Sequence, residues 1–187
     1  MKRELKPGNM LYPLPAVLVS CGDGKGVQNL LTVAWAGTGC SDPPMLSVSI
    51  RKDRYSHQLI EESGEFVVNL VSAAITKATD YCGVRSGRDG DKWKDSGLTP
   101  AKAPNLEKAP AVAESPVWIE CRVDRILELG SHDMFLADVV GVHADEALFE
   151  ENGRLDLGKA GLITYSHGEY FLLGDKIGTF GWSVRKK

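Results

Sequence analysis

Long apolar runs are missing from this chain of 187 residues, and so is any excess of one charge. No stretch approaches the roughly 20 consecutive apolar residues that a membrane-spanning helix needs. The 22 Lys and Arg stand against 25 Asp and Glu, a net charge of −3 spread along the chain. That balance argues against a nucleic-acid surface or a polybasic membrane patch. Cysteine is scarce. Cys21, Cys40, Cys82 and Cys121 lie far apart, with no C-x-x-C pair and no Cys/His pair at zinc spacing. Four reduced, mostly buried thiols in a cytoplasmic protein are expected. Signatures of side-chain catalysis are absent too: there is no G-x-S-x-G, H-E-x-x-H or G-x-x-x-x-G-K-[ST]. The G-x-G within GDGKG (22–26) is not followed by a helix, which rules out a Rossmann phosphate loop there. The 4 histidines form neither a triad nor a metal cluster. No catalytic side chain and no metal site are therefore expected, and any chemistry is expected to sit on a cofactor.

What is present is ordinary globular composition, 43% hydrophobic and 25% charged. A single domain spanning residues 1–187 is expected. MKR at the start and LVSC at 18–21 imitate a lipoprotein leader. Glu4, Lys6, Pro13 and Pro15 interrupt the apolar stretch of roughly 7–15 residues that a leader requires. PAVLVSCG (15–22) instead reads as a strand, stopped by the tight turn GDGKG and paired in a hairpin with NLLTVAWA (29–36). PMLSVSIR (44–51) alternates, with Leu46, Val48 and Ile50 on one face and Met45, Ser47 and Ser49 on the other. RYSHQLIEES (54–63) reads as a helix with Asp53 as its cap and Gly64 as its stop. EFVVNLV (65–71) is another strand, and SAAITKATDYCG (72–83) a helix opened by Ser72 and stopped by Gly83. Residues 98–116 hold four prolines and read as an irregular covering segment. The alternating segments 117–129 and 132–144 form a long hairpin around Gly130 and Ser131, followed by the short late strands LITYS and EYFLL. Strands and helices do not alternate as βαβ units, so a mainly β, antiparallel barrel or sandwich with a few helices at its ends is expected.

Three segments could build a binding site. In TVAWAGTGCSDPP (32–44), Trp35 sits among small residues: Thr32, Ala34, Thr38, Gly39, Cys40 and Ser41. A planar heterocycle wants this mixture, backbone donors for its polar edge and an aromatic for its face. Trp35 equally suits a barrel core. In PMLSVSIRKDRYSH (44–57), Ser49 and Ile50 lead to Arg51, Lys52, Arg54, Tyr55 and Ser56 at the mouth of a helix. Cations beside a helix N-terminus favour an anion such as phosphate, although a solvated basic turn has the same composition. In YCGVRSGRDGDKW (81–93), Cys82, Gly83, Ser86, Lys92 and Trp93 belong to a glycine-rich loop. Its backbone could approach a ligand or simply be mobile.

The ordered set N-x-x-T-x-A-W (29–35), C-S-D-P-P (40–44), S-I-R-x-x-R-Y-S (49–56), G-E-F-V-V-N-L (64–70), S-G-R-x-x-D-K-W (86–93), E-C (120–121) and Y-S-H-G-E-Y (165–170) resembles the flavin reductase-like family. Gly130-Ser131-His132-Asp133 resembles that family's Gly-Asp-His turn with Ser131 in the Asp position, so no role passes to Ser131 or His132. The resemblance covers nearly the whole chain. It implies an antiparallel Greek-key split β-barrel and a homodimer with FMN near the subunit interface. The 32–41 segment would line the flavin ring, 49–56 would hold the phosphate, 82–93 would contribute to the same site or the partner's, and Tyr165 would lie near the ring. It implies a flavoprotein engaged in redox or electron transfer with a small-molecule or protein partner. The alternatives are an NAD(P)H-dependent flavin or ferric reductase, with NAD(P)H as electron donor, and a non-catalytic FMN- or haem-binding protein on the same barrel. No nicotinamide-binding fingerprint is visible.

Overall fold

The computed structural model describes residues 1–185. In chain order the elements are β1 (Leu14–Pro15), β2 (Val17–Gly22), β3 (Gln28–Val33), β4 (Ala36–Ser41), β5 (Pro44–Arg51), α1 (Tyr55–Ser63), β6 (Glu65–Leu70), α2 (Thr76–Val84), α3 (Lys92–Ser96), β7 (Pro100–Ala101), β8 (Ala111–Val112), β9 (Val117–Glu128), β10 (His132–Ala144), β11 (Ile163–Ser166) and β12 (Glu169–Leu172). Seven strands form one sheet in the order β3-β2-β6-β9-β10-β5-β4, every neighbouring pair antiparallel.

Six antiparallel steps leave the two outer strands, β3 and β4, running in the same direction. They are joined only by Ala34 and Trp35. Gln28–Ser41 is therefore one strand that bends at Trp35 and changes partner from β2 to β5. At the bend the Ser49 N–H donates to the Trp35 carbonyl at 2.8 Å, and β3 comes into contact with β5. The sheet thus curls until its ends meet, an antiparallel split barrel. The strand expected over 29–36 stops at Val33, and residues 37–41, for which the sequence predicted no strand, continue as β4. The pairing partner β5 decides this, since Gly and Ser have no strand preference of their own.

Alternation explains where the core sits. Val17, Val19 and Cys21 of β2 point into the barrel with Leu31, Val48, Ile50, Phe66, Val68 and Phe135. Ala16 and Leu18 point outward against Val71, Ile75, Cys82, Trp93 and Ile163. Covered on both faces, β2 is buried at every position, which is why it reads as an unbroken apolar run. Helix α1 closes one end of the barrel with Leu59 and Ile60. Full burial of a side chain such as Ile60 or Phe135 contributes roughly 1.5–3 kcal/mol.

The helix boundaries differ from expectation in three places. Arg54, not Asp53, is the cap residue of α1, and no side chain caps it; the Asp53 carboxylate instead accepts from Arg51 Nε at 3.3 Å. Ser72 precedes a 3-10 turn over Ala73–Ile75, and α2 begins only at Thr76. Gly83 does not stop α2, which continues to Val84. A Cβ there would stand 3.2 Å from Thr32 Cβ, so this glycine serves the close approach of α2 to β3. The glycine-rich loop ends in α3, where the Asp91 side chain accepts from the N–H groups of Trp93 (3.0 Å) and Lys94 (3.3 Å).

Candidate functional site

A groove follows β3. Its middle is a cavity of about 130 Å³ lined by Thr32, Ala34, Trp35, Ser49, Ile50, Arg51, Arg54 and His132. Through Leu31 and Arg54 it joins a cavity of about 110 Å³ at the start of α1. Through Thr32, Ala34 and Trp35 it joins one of about 410 Å³ among Tyr12, Tyr165 and Tyr170.

The end at α1 is cationic. Arg54, Arg85 and Lys92 line it, with Ser56, Ser86 and Gly87, against the single carboxylate of Asp53. The first turn of α1 has no capping side chain and no acidic residue, so its leading N–H groups and the dipole favour an anion. Ser56 is fully buried, and its hydroxyl accepts from Asn29 Nδ2 at 2.8 Å. Gly87 packs onto that Asn29 amide so closely that a Cβ would overlap Asn29 Oδ1. The buried Lys92 ammonium donates to the carbonyls of Leu30 and Cys82, both at 2.7 Å. Burial pushes its pKa down to about 8, so it remains mostly charged at neutral pH. Beneath the first turn, His57 Nε2 pairs with Asp133 Oδ2 at 2.7 Å, and Lys52 reaches Asp133 Oδ1 at 3.2 Å. Burial alone would raise the Asp133 carboxyl, but hydrogen bonds from His57 and Lys52 outweigh it and hold the group below its ordinary value. This relay ties α1 to the start of β10.

The other end is aromatic. The Trp35 ring lies 4.3 Å from the His132 ring at 46° and keeps 38% of its surface exposed. Burial and the nearby Arg51 lower the pKa of His132, which keeps it neutral at pH 7. Tyr165 contacts Tyr170 and Tyr12 at centroid separations of 5.7 and 6.3 Å. The Tyr170 hydroxyl donates to Asp80 at 3.2 Å, and burial, then Asp80, pushes its pKa up to about 12.

Of the residues expected from sequence, Thr32, Ala34, Trp35, Ser49, Ile50, Arg51, Arg54, Tyr55, Ser56, Gly83, Ser86, Lys92 and Tyr165 line this groove. Thr38, Gly39, Cys40 and Ser41 lie apart from it, exposed on β4. Cys82 and Trp93 sit in the layer between α2 and the barrel; Cys82 touches the site only through its carbonyl. Sequence reasoning passed over Arg85, His132, Tyr12, Asp80 and Tyr170. Arg85 was visible as a cation in the glycine-rich loop and His132 as part of the altered turn, whereas nothing near Tyr12 or Asp80 in sequence connects them to β3. The arrangement can hold an elongated ligand with an anion at one end and a flat apolar ring at the other. Among the described residues no cluster of His, Cys, Asp or Glu could hold a metal ion. Cys21 and Cys121 are buried thiols whose pKa burial pushes up to about 12, which makes them poor nucleophiles.

Comparison with known proteins agrees with this fold. The profile of the flavin reductase like domain matches residues 9–173. The flavoredoxin of Desulfovibrio vulgaris (Miyazaki F) superposes with a TM-score of 0.92 at 32% identity, over 99% of this chain and 100% of that one. A flavoredoxin from Methanosarcina acetivorans superposes at 0.86 with 29% identity, over 98% and 100%. An uncharacterized protein of Archaeoglobus fulgidus is 31% identical over 161 residues, 86% of this chain and 88% of its own. The fold, the ordered motifs and the profile agree: the chain belongs to the flavin reductase-like domain family.

Proposed function

We propose that this chain is an FMN-binding redox protein of the flavoredoxin kind. One observation carries the proposal: a continuous groove along β3 with a cationic, anion-sized cavity at one end and aromatic walls at the other. FMN has that polarity, a phosphate joined by a ribityl chain to a flat ring. The donor set fits the phosphate: Arg54 and Arg85 offer charge-assisted bonds, the first turn of α1 offers free N–H groups, and Lys92 has one N–H beyond its two carbonyl partners.

When bound, FMN would supply the redox centre, accepting a hydride or electrons and passing them on. The chain's own residues bind and orient it. Arg54, Arg85 and the α1 N-terminus anchor the phosphate; Thr32 and Ala34 line the ribityl path; Trp35, neutral His132 and Tyr165 bound the ring. Arg51, Arg54 and Lys92 outnumber the acids along the groove, a field that favours a ligand gaining negative charge. No side chain need move a proton.

A homodimer belongs to this reading. Phe171, Leu172, Ile177, Phe180 and Trp182 expose large apolar surfaces near the aromatic end and in the segment that follows β12, and a second copy would cover them. Sedimentation should give twice the chain mass. Among the described residues no helix is long and apolar enough to cross a membrane, and a cytoplasmic setting is part of the proposal. Purified protein should be yellow, with flavin absorbance that survives gel filtration. Colourless protein that oxidises NADH only after FMN is added would replace the carrier reading with a flavin reductase, and a Soret band would replace it with a haem protein.

A further inference from the structure

Strand β12 has one partner and one open edge. In the sheet order β1-β11-β12 its neighbour is β11, and among the described residues no strand lies on its other side. The Leu173 N–H donates to the Leu162 carbonyl at 3.4 Å, and the register sets Thr164 opposite Phe171 and Ser166 opposite Glu169. Bonding alternates along an antiparallel pair. Glu169 and Phe171 therefore bond to β11, while Tyr170 and Leu172 turn their N–H and C=O groups to the open edge. An open apolar edge is a template for another strand, and Phe171, Leu172 and Leu173 are all exposed.

The segment beyond β12 is apolar and already shaped. Ile177 is 90% exposed, and Phe180, Trp182 and Val184 are exposed with it. The Trp182 N–H donates to the Thr179 carbonyl at 3.1 Å. The Trp182 ring packs on Gly178, where a Cβ would stand 2.8 Å from Trp182 Cε2. A turn formed in advance has less ordering entropy to lose on docking. A large aromatic side chain buries roughly 150–250 Å². Phe171, Phe180 and Trp182, with Leu172, Leu173 and Ile177, approach the ~800 Å² that each partner gives to a standard interface.

We propose that two copies of this chain pair β12 with β12, antiparallel across a two-fold axis, and exchange the segments that follow. The strand is its own complement there. Tyr170 of each copy meets Leu172 of the other, with the two Phe171 residues opposed on the axis. The same operation sets the path of the exchanged segment. Residues after Leu172 in one copy run beside those before Glu169 in the other, the turn at 167–168. Gly168 of that turn lines the aromatic cavity with Tyr165 and Tyr170. Each arm thus carries its apolar side chains to the aromatic end of the other copy's groove, where Trp35 and Val84 stand exposed. A second copy covers edge, arm and cavity mouth in one operation; a foreign strand would cover the edge alone. The edge and the arm are what this adds to the homodimer, and the arm's place at the groove rests on the proposed flavin site.

Sedimentation equilibrium on the full chain stripped of flavin measures the dimer constant. Leu172→Pro removes an N–H on the open edge and keeps the bonds to β11. It should raise the dimer dissociation constant by about tenfold or more. Leu172→Lys, at an exposed position, charges the same edge and should repeat the result if the Pro variant does not fold. A chain ending at Leu173 should also dimerise about tenfold less tightly. At a concentration where the parent is dimeric, it should bind riboflavin, followed by flavin fluorescence, about threefold or more less tightly. The strand pairing is overturned if the parent is monomeric or if both Leu172 variants keep its dimer constant. The exchange of arms is overturned if truncation leaves dimerisation or riboflavin affinity unchanged. Failure of the parent to bind riboflavin and FMN removes the flavin site itself and leaves the sedimentation result standing.

Discussion

The two ends of the groove are built in opposite ways. At the cationic end, Ser56, His57 and Lys92 are buried, and each is held by a hydrogen bond of 2.7–2.8 Å. At the aromatic end, Trp35 is 38% exposed and the neighbouring Val84 is 72% exposed. One anchored contact, Tyr170 to Asp80, holds that wall to α2. Recognition of an anion depends on donors fixed in distance and direction. A ring face tolerates sliding, because dispersion and burial are not directional. Discrimination among ligands is therefore expected at the cationic end and adaptability at the aromatic end.

The sharpest way to break this contrast is to remove charge. Arg54→Ala and Arg85→Ala should each weaken FMN by about 1.5–3 kcal/mol, while riboflavin, which has no phosphate, binds as before. Isothermal titration of both ligands decides the point, and equal losses for the two would locate the phosphate elsewhere. Gly87→Ala should cost the unliganded protein about 1–3 kcal/mol by driving a methyl group into the Asn29 amide. Urea unfolding reads this directly, and an unchanged midpoint would mean that the cationic end is not tightly packed.

The pH dependence of binding isolates Lys92. In the free chain its pKa lies near 8, and a bound phosphate would raise it. Affinity for FMN should be constant between about pH 7, above which its phosphate is largely dianionic, and that value, and fall as the pH rises through it. The fall is about tenfold for each unit by which binding raises the pKa. Lys92→Gln should flatten the profile, and riboflavin should show no such dependence. Trp35→Ala should weaken FMN and riboflavin alike by about 0.5–1.5 kcal/mol; a loss confined to FMN would contradict the division between the ends. The smallest effect belongs to Cys40→Ser on exposed β4, within about 0.5 kcal/mol for stability and for binding. A large loss of FMN there, with stability unchanged, would bring β4 of a second copy to the groove.

Much of the barrel was legible because each strand carries its own pattern. Leu46, Val48 and Ile50 alternate with Ser47 and Ser49, and β9 and β10 alternate over a long hairpin. β4 was not legible, since Gly37, Gly39 and Ser41 have no pattern and β5 alone makes them a strand. Gly83 misled for a related reason. Glycine near a helix end signals a stop, but here it answers to Thr32, far away in sequence. The cationic half of the site was partly visible because Arg51, Arg54 and Ser56 sit together in the chain. The aromatic half was visible only in Trp35 and in the Y-S-H-G-E-Y motif (165–170) that carries Tyr165 and Tyr170, because Tyr12, Asp80 and His132 come from three separate segments.

By itself the sequence determined the strands with two-fold alternation, the apolar run of β2 and the basic mouth of α1. Each of these depends on neighbours within a few residues. Tertiary structure alone decided that Gln28–Ser41 bends at Trp35 to close the barrel and that Arg85 and Lys92 meet the start of α1. Those arrangements depend on which surfaces pack together, and packing is set by the burial of distant side chains rather than by any local preference.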